Sequence, residues 1–400
     1  MMNKFFIAIL VLISTISFSQ GELSLDLLKA KAYYNLKMYD STIVYTNNVK
    51  DKDLVYRAIE LRALSYFYLK NYDKSLVSFK QLNANLKTKN SIYFAEIYAY
   101  NKDWEDASIW LIKHLKSKYK KNPGAIKIDK FFSDFSTTKE WNNIWMQDWY
   151  SELETKIAEA EYLAYKEKYD RALEVSDEVL EIKKDCHKIY FLRARIYKKI
   201  NDASNRTYSL KMANKLVPDN YTYSFEYAKA LLDDGKFKKS LAQFEKTIPL
   251  DEYEPKLYYY LALAYYRFND YDNAKKYAQY YRIISPNNGD GIWLAGYIYK
   301  DNGEFEKAIE EFEYGIELHL GRVGYFIGKG ESLYNLKKYG LAANEFTQAL
   351  DLSPNDGKIY YERGLANYER GDRVNACKDW GKASKLGYFQ ADDMTLINCQ

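Results

Sequence analysis

Alanine or glycine recurs at Ala160, Ala194, Ala228, Ala262, Gly296, Gly330 and Gly364, evenly spaced with no insertion or deletion. Ala30, Ala63 and Ala95 precede them at slightly shorter intervals. A period of this length, ~34 residues, means stacked copies of one supersecondary unit. No unit can bury its apolar face alone, so each must pack on its neighbours. Stacks of this kind mostly bind other molecules, and the residues that make them stack do not name what they bind.

The unit is helical. The chain has 6 prolines and 18 glycines in 400 residues, and few runs of alternating β-branched residues, which favours helix over sheet. Segments 165–172 (YKEKYDRA), 233–240 (DDGKFKKS), 268–274 (FNDYDNA), 301–308 (DNGEFEKA) and 335–342 (NLKKYGLA) share one design. A polar turn, often with Gly, Asn or Asp, precedes an aromatic, and a small residue follows three positions later. Such turns end one helix, and the aromatic opens the next. The aromatic column is Tyr39, Tyr72, Trp104, Tyr169, Phe237, Tyr271, Phe305 and Tyr339. Helical spacing flanks each turn, as in Tyr258, Leu261, Ala262 and Tyr265.

Each unit therefore reads as two antiparallel helices. The small residue of the first helix lets the second approach, and a larger side chain there would overpack at a cost of about 1–3 kcal/mol. Three positions on stands a large residue: Tyr33, Tyr66, Tyr98, Tyr197, Tyr265, Tyr299, Leu163, Leu231 or Leu333. The second helix has its own small column at Ala172, Ser240, Ala274, Ala308, Ala342 and Ala376; Phe244, Phe312, Phe346 or Trp380 follows four residues after its member.

This pattern resembles the tetratricopeptide repeat, whose closing proline stands at Pro218, Pro286 and Pro354. The resemblance covers about residues 23–390 and implies an all-α fold, an α-solenoid (right-handed superhelix) of stacked antiparallel helix pairs. Seven units start at Leu153, His187, Tyr221, Pro255, Gly289, Val323 and Gly357. The expected organisation is a secretory leader at 1–19, a degenerate sub-array of about three units at 22–120, and an irregular Trp-rich connector at 121–152. A seven-unit array at 153–390 and a capping helix at 391–400 complete it. Departures are Arg206 at a small site, Ala203 and Arg373 in place of aromatics, and Asn367 in place of Tyr or Leu.

In the connector, Trp141, Trp145 and Trp149 share one face if the segment is helical. They read as a plug that seals the joint between sub-arrays, with an exposed docking patch as the alternative. Segment 376–387 (ACKDWGKASKLG) is similar to Sel1-type variants of the family. In that hairpin Cys377 and Cys399 come level, which leaves two readings: a disulfide, or one buried cysteine and one frayed thiol.

Residues 1–19 read as a leader for export: Lys4, the apolar run 5–13, then Ser17-Phe18-Ser19 before a cleavage near Gln20. No cysteine stands there to take a lipid anchor, and no later segment is apolar enough to span a membrane. The expected location is periplasmic or secreted, with any outer-membrane association made through a partner. Net charge is +4, with both signs interspersed, which argues against nucleic acid as partner. The densest basic run, 113–121 (KHLKSKYKK), fits a solvated helix end.

The residues do not point to catalysis. His114, His187 and His319 stand in different parts of the chain without metal-ligand spacing. Gly328-Lys329-Gly330 falls inside a repeat helix and follows no strand. A non-enzyme with no cofactor and no metal is expected.

The resemblance implies that the first helices line a concave groove. The face opposite the packed columns carries Phe191, Phe225, Tyr259, Trp293, Ile327 and Tyr361. One turn on come Arg195, Lys229, Leu263, Tyr297 and Glu331, extended by Tyr266 and Tyr334. Such an aromatic ladder with a few charges suits a protein or peptide partner; for any single ring, packing between first helices is the equal alternative. Glycan binding through the same rings is the second function. The family's carboxylate clamp of Asn and Lys is not reproduced.

Overall fold

A computed structural model describes residues 24–399; the leader lies outside them. The described residues form helices, short 3-10 turns and loops, with no strand among them. They fall into two compact units: the chain up to Pro218 together with Asp251–Glu254, and Asp219–Leu250 with the chain from Pro255 onward. The division lies within the regular array, after the helix Ala203–Leu216. That helix carries the departures Ala203 and Arg206.

In the second unit the helix pairs are Tyr221–Asp233 with Phe237–Thr247, Pro255–Arg267 with Tyr271–Ile284, and Gly289–Asp301 with Phe305–Glu317. Val323–Asn335 with Tyr339–Leu352 and Gly357–Glu369 with Arg373–Lys385 follow, and Gln390–Asn398 ends the series. The first helices begin at the residues read from the sequence; in the first unit, the helix expected at Leu153 begins at Glu152, where Ser151 and Glu154 form a capping box.

The turn inside each pair is built alike. One residue takes a left-handed φ, from Lys37 and Lys70 near the start to Lys337 and Gly371 near the end. The next residue's N–H reaches back to the carbonyl of the large column, as from Lys236 to Leu231 and from Glu304 to Tyr299, both at 2.9 Å. The turns are polar, as the sequence implies, and Gly or Asn holds the left-handed position at Asn201, Gly235, Asn269, Gly303 and Gly371, while lysine or glutamate holds it at Lys37, Lys70, Lys102, Glu167 and Lys337.

The two small columns touch. Ser240 Oγ donates to the Ala228 carbonyl at 2.8 Å, and Ser75 Oγ to that of Ala63 at 2.9 Å. Phe312, Phe346 and Trp380 are fully buried. Each lies against a glycine of its own first helix. A Cβ on Gly296 would overlap the Phe312 ring; one on Gly330 would stand 2.8 Å from Phe346, and one on Gly364 would stand 2.5 Å from Trp380. Gly328, from the following pair, closes on Phe312 from the other side. Both glycines of the Gly328-Lys329-Gly330 segment are thus packing residues.

The first unit holds pairs Leu25–Asn35 with Tyr39–Asn48, Val55–Tyr68 with Tyr72–Lys80, and Ser91–Tyr100 with Trp104–Leu115. After the connector come Glu152–Tyr165 with Tyr169–Ile182 and His187–Lys199 with Ala203–Leu216. The connector folds onto the third pair. Phe132 and Phe135 are fully buried, Trp141 is 7% exposed, and Phe135 stacks on Trp104. The shared helical face for its tryptophans needs correction. The helix Lys139–Trp145 stops before Trp149, whose indole N–H folds back onto the Ile144 carbonyl at 2.7 Å. Two lysines at the end of the basic run are paired within the fold: Lys120 with Glu154 at 2.9 Å and Lys121 with Glu96 at 2.9 Å.

Candidate functional site

Successive first helices of the second unit lie side by side, so residues one period apart form rows across them. Phe225 does not belong to an open row. It is 7% exposed, edge-on to Phe244 and Tyr260 at 5.8 and 5.3 Å. Its bulk fills the gap to the next first helix, so its place on the accessible face is a correction. Lys229 spreads over the Tyr260 ring at 4.9 Å. Phe191 is half-buried and Arg195 exposed; both belong to the first unit.

The remaining residues converge between 259 and 361. Trp293 and Tyr297 stand with ring centroids 4.7 Å apart. The Arg322 guanidinium lies over the Trp293 ring at 5.5 Å and pairs with Asp290 at 2.7 Å. Tyr259 packs on Tyr281 at 5.4 Å; burial, then the Asp290 charge, pushes its hydroxyl up to about 12. Lys300 stands over the Tyr297 ring at 4.7 Å and pairs with Glu331 at 2.5 Å. The other Glu331 oxygen meets Lys358 at 3.4 Å. The Tyr266 hydroxyl donates to Asp301, which itself lies 3.2 Å from Lys300. Tyr361 packs on Tyr388 at 5.2 Å, at the end of the row.

This is one connected patch of half-buried rings threaded by ion pairs. Burial alone would lower the Lys300 ammonium, but Glu331 and Asp301 outweigh it and hold it above its ordinary value. Burial and the nearby Glu331 raise the Glu362 carboxyl. Each ring has one side committed to packing: a Cβ on Gly324 would stand 2.9 Å from the Trp293 Nε1 atom. The rings therefore both pack and border the face.

Sequence reading missed Asp290, Lys300, Arg322 and Lys358. The signal for Lys300 was available, since it stands one full period after Tyr266 and one before Tyr334 in the same row. Arg322 was not legible, because it lies in the loop before a first helix and reaches Trp293 only through the fold.

Among the described residues, no group of three or more His, Cys, Asp or Glu side chains could hold a metal ion. No described helix is long and apolar enough to cross a membrane. His114 is buried; its Nε2 accepts the Lys121 backbone N–H at 2.9 Å. Burial, then the Lys121 charge, lowers it to about 4, so the ring is neutral and structural. The arrangement offers shape, aromatic surface and paired charge, the means of recognition.

Tetratricopeptide-repeat models match residues 225–289 and 327–387, and a second such model matches 290–318. A TPR repeat-containing protein of Methanocaldococcus jannaschii is 32% identical over 96 residues, covering 24% of this chain and 17% of that one. The chain thus spans well under two thirds of that curated relative. The crystal structure of a tetratricopeptide repeat protein from Parabacteroides merdae covers 62% of this chain and 99% of its own, with a TM-score of 0.50 at 15% identity. The C-terminal part of a TPR repeat-containing protein from Cytophaga hutchinsonii covers 59% and 98%, with a TM-score of 0.48 at 20% identity.

Proposed function

This chain carries tetratricopeptide repeats, and on that premise we propose that it is a protein-interaction scaffold of the cell envelope, holding a partner's segment along its first helices. The observation that carries the reading is the patch from Tyr259 through Trp293 and Tyr297 to Glu331. Its rings can bury a partner's side chains, and its ion pairs can be re-made with a partner's charges at small net cost. Sugars would need open ring faces. Those of Trp293 and Tyr259 are partly taken by Arg322, Tyr297 and Tyr281, which favours a peptide over a glycan.

Export is supported by the leader residues and by the disulfide that joins Cys377 to Cys399, with Cα atoms 5.6 Å apart, since disulfides persist in oxidising compartments. Crosslinking in living cells with mass spectrometry should recover a recurrent envelope protein joined near 259–361. Tyr259→Ala with Trp293→Ala should abolish that capture while the helical circular dichroism is kept. Capture that survives in the folded double variant removes the groove reading, and fractionation into the cytoplasm removes export.

A further inference from the structure

In the first unit, the turns inside the first two helix pairs and the end of the helix Ser91–Tyr100 carry more apolar surface than a turn needs. Leu36 and Met38 are 51% and 49% exposed, Tyr68 and Leu69 are 44% and 40% exposed, and Tyr100 is 59% exposed. Ring contacts join these turns into one strip. Tyr39 stacks on Tyr68 at 5.2 Å, Phe67 stands edge-on to Tyr68 and Tyr72 at 5.6 and 5.7 Å, and Tyr72 meets Tyr100 at 4.5 Å. Apolar side chains scattered singly are ordinary surface, whereas a contiguous set marks an interaction site. The strip is also fixed in advance. The Tyr68 hydroxyl is hydrogen-bonded to those of Tyr34 and Tyr93, which lowers the ordering cost of binding. The hydroxyls of Tyr39, Tyr72 and Tyr100 have no hydrogen-bond partner among the described residues and remain available as donors.

Three observations select the occupant. The strip has no single sign: Lys37, Lys70 and Lys102 in its turns are each followed three residues later by Asp40, Asp73 or Glu105. A polymer of one charge, or an anionic membrane, would meet as much repulsion as attraction there. Leu36, Met38 and Leu69 interrupt the rings and offer a sugar no hydrogen bond. The described residues include no strand edge to which an extended peptide could add. A polyproline II helix meets all three conditions. It is uncharged and apolar, it pairs with no edge, and its backbone carbonyls are open to donors. Its turn of three residues rises about 9 Å, close to the separation of packed helices, roughly 8–10 Å. The helices Leu25–Asn35 and Val55–Tyr68 do pack side by side. The Tyr39–Tyr68 ring pair bridges the first and second helix pairs, and the Tyr72–Tyr100 ring pair bridges the second and third. Two prolines three residues apart match that step.

We propose that this strip binds a proline-rich segment of a partner protein, of Pro-x-x-Pro spacing, in the polyproline II conformation. One proline packs on each ring pair, Leu36, Met38 and Leu69 cover the residues beside them, and the hydroxyls of Tyr39, Tyr72 and Tyr100 donate to the segment's carbonyls. The proposal rests on the reading of the chain as a protein-interaction scaffold, but it shares no residue with the patch at 259–361.

Fluorescence anisotropy tests it, with labelled decaproline as the probe, on the full chain expressed with its own leader and purified without reductant. Saturable binding is expected, equal in about 50 mM and about 500 mM salt because no charge pairs form. Tyr100→Ala should weaken it about tenfold. Tyr72→Phe with Tyr100→Phe keeps the rings and removes two donors, and should weaken it about fivefold. Both variants should keep the helical circular dichroism. Tyr259→Ala with Trp293→Ala should bind decaproline as the wild type does, whatever becomes of its capture of a partner in cells, so the two readings fail separately. No binding at millimolar decaproline overturns the proposal, as does equal affinity in the wild type and both tyrosine variants. Affinity that falls steeply with salt, or that is lost in the Tyr259→Ala, Trp293→Ala chain, overturns it as well. Cellohexaose or phosphatidylserine vesicles that bind at Tyr100 where decaproline does not overturn it equally.

Discussion

In the second unit Phe312, Phe346 and Trp380 each fill a slot left by a glycine. In the first unit the same register holds Thr46, Phe79, Leu111, Ser176 and Leu210, all buried, and the facing small residues are alanines. In the three glycine pairs the ring needs the missing Cβ, whereas Phe244 in the second unit and Phe79 in the first are fully buried in the same register opposite alanines, Ala228 and Ala63. The mostly smaller side chains of the first unit need no such slot, and its extra apolar volume comes from a segment that belongs to no repeat: Phe132, Phe135 and Trp141 of the connector, packed on Leu111 and its neighbours. One helix-pair design is thus stabilised in two ways, by a repeated lock in one unit and by an added plug in the other. The period need not be perfect where something else fills the space.

The largest expected effect strikes at the plug. Trp141→Ala should cost about 3–5 kcal/mol, read in urea denaturation, with hydrogen exchange rising over residues 91–150. Exchange that rises equally throughout 255–385 would break the distinction between the two modes of packing.

The plug also brings in charge. Glu96 is 3% exposed, paired with Lys121 and close to Asp129. Burial raises its carboxyl from 4.5 to about 7, the Asp129 charge adds to this, and Lys121 offsets part. A raised folded pKa means that its stabilising contribution is full below pH 4.5 and lost as pH rises through about 7. Glu96→Gln mimics the neutral form. It should match the wild type at pH 4 and exceed it by about 3 kcal/mol at pH 8, in paired urea titrations. His114 runs the other way: its contribution is present above pH 6.5 and lost as pH falls through about 4. An equal difference at both pH values would show that Glu96 is not the titrating group.

The lock is tested at its glycines. Gly296→Ala forces the Phe312 ring to move and should lower stability by about 2 kcal/mol. Gly381→Ala is the control. It lies within a helix with no atom within 4 Å of the added Cβ, so the change should add up to about 1 kcal/mol through helix propensity. If both alanines act alike in thermal melts, the lock plays no part in stability.

The smallest effect concerns the turns, where the two units agree. Gly303 has a φ of 80°, so Gly303→Ala should lose about 1 kcal/mol. Lys70 in the first unit and Lys337 in the second have φ of 61° and 60°. Lys→Gly at either should gain about 0.5 kcal/mol, the relief of the left-handed strain less the added freedom of the unfolded chain. Opposite signs at Lys70 and Lys337 would extend the contrast between the units to their turns.

The period, the helix starts and the two facing small columns were all legible in the sequence. Each depends on contacts within a unit or with the next one, so the same constraint recurs once per period and leaves the same residue type behind. Of the candidate face, the rows of rings were legible for the same reason, although Phe225 was misplaced because exposure depends on what the neighbouring helix carries. The fold alone decided the rest. It set the burial of the connector and the convergence of Arg322 on Trp293 and of Lys358 on Glu331. These are single contacts between parts that do not repeat. Side chains of opposite charge or similar bulk are too common in one chain to show which will meet, and only the path of the backbone brings a chosen few within reach.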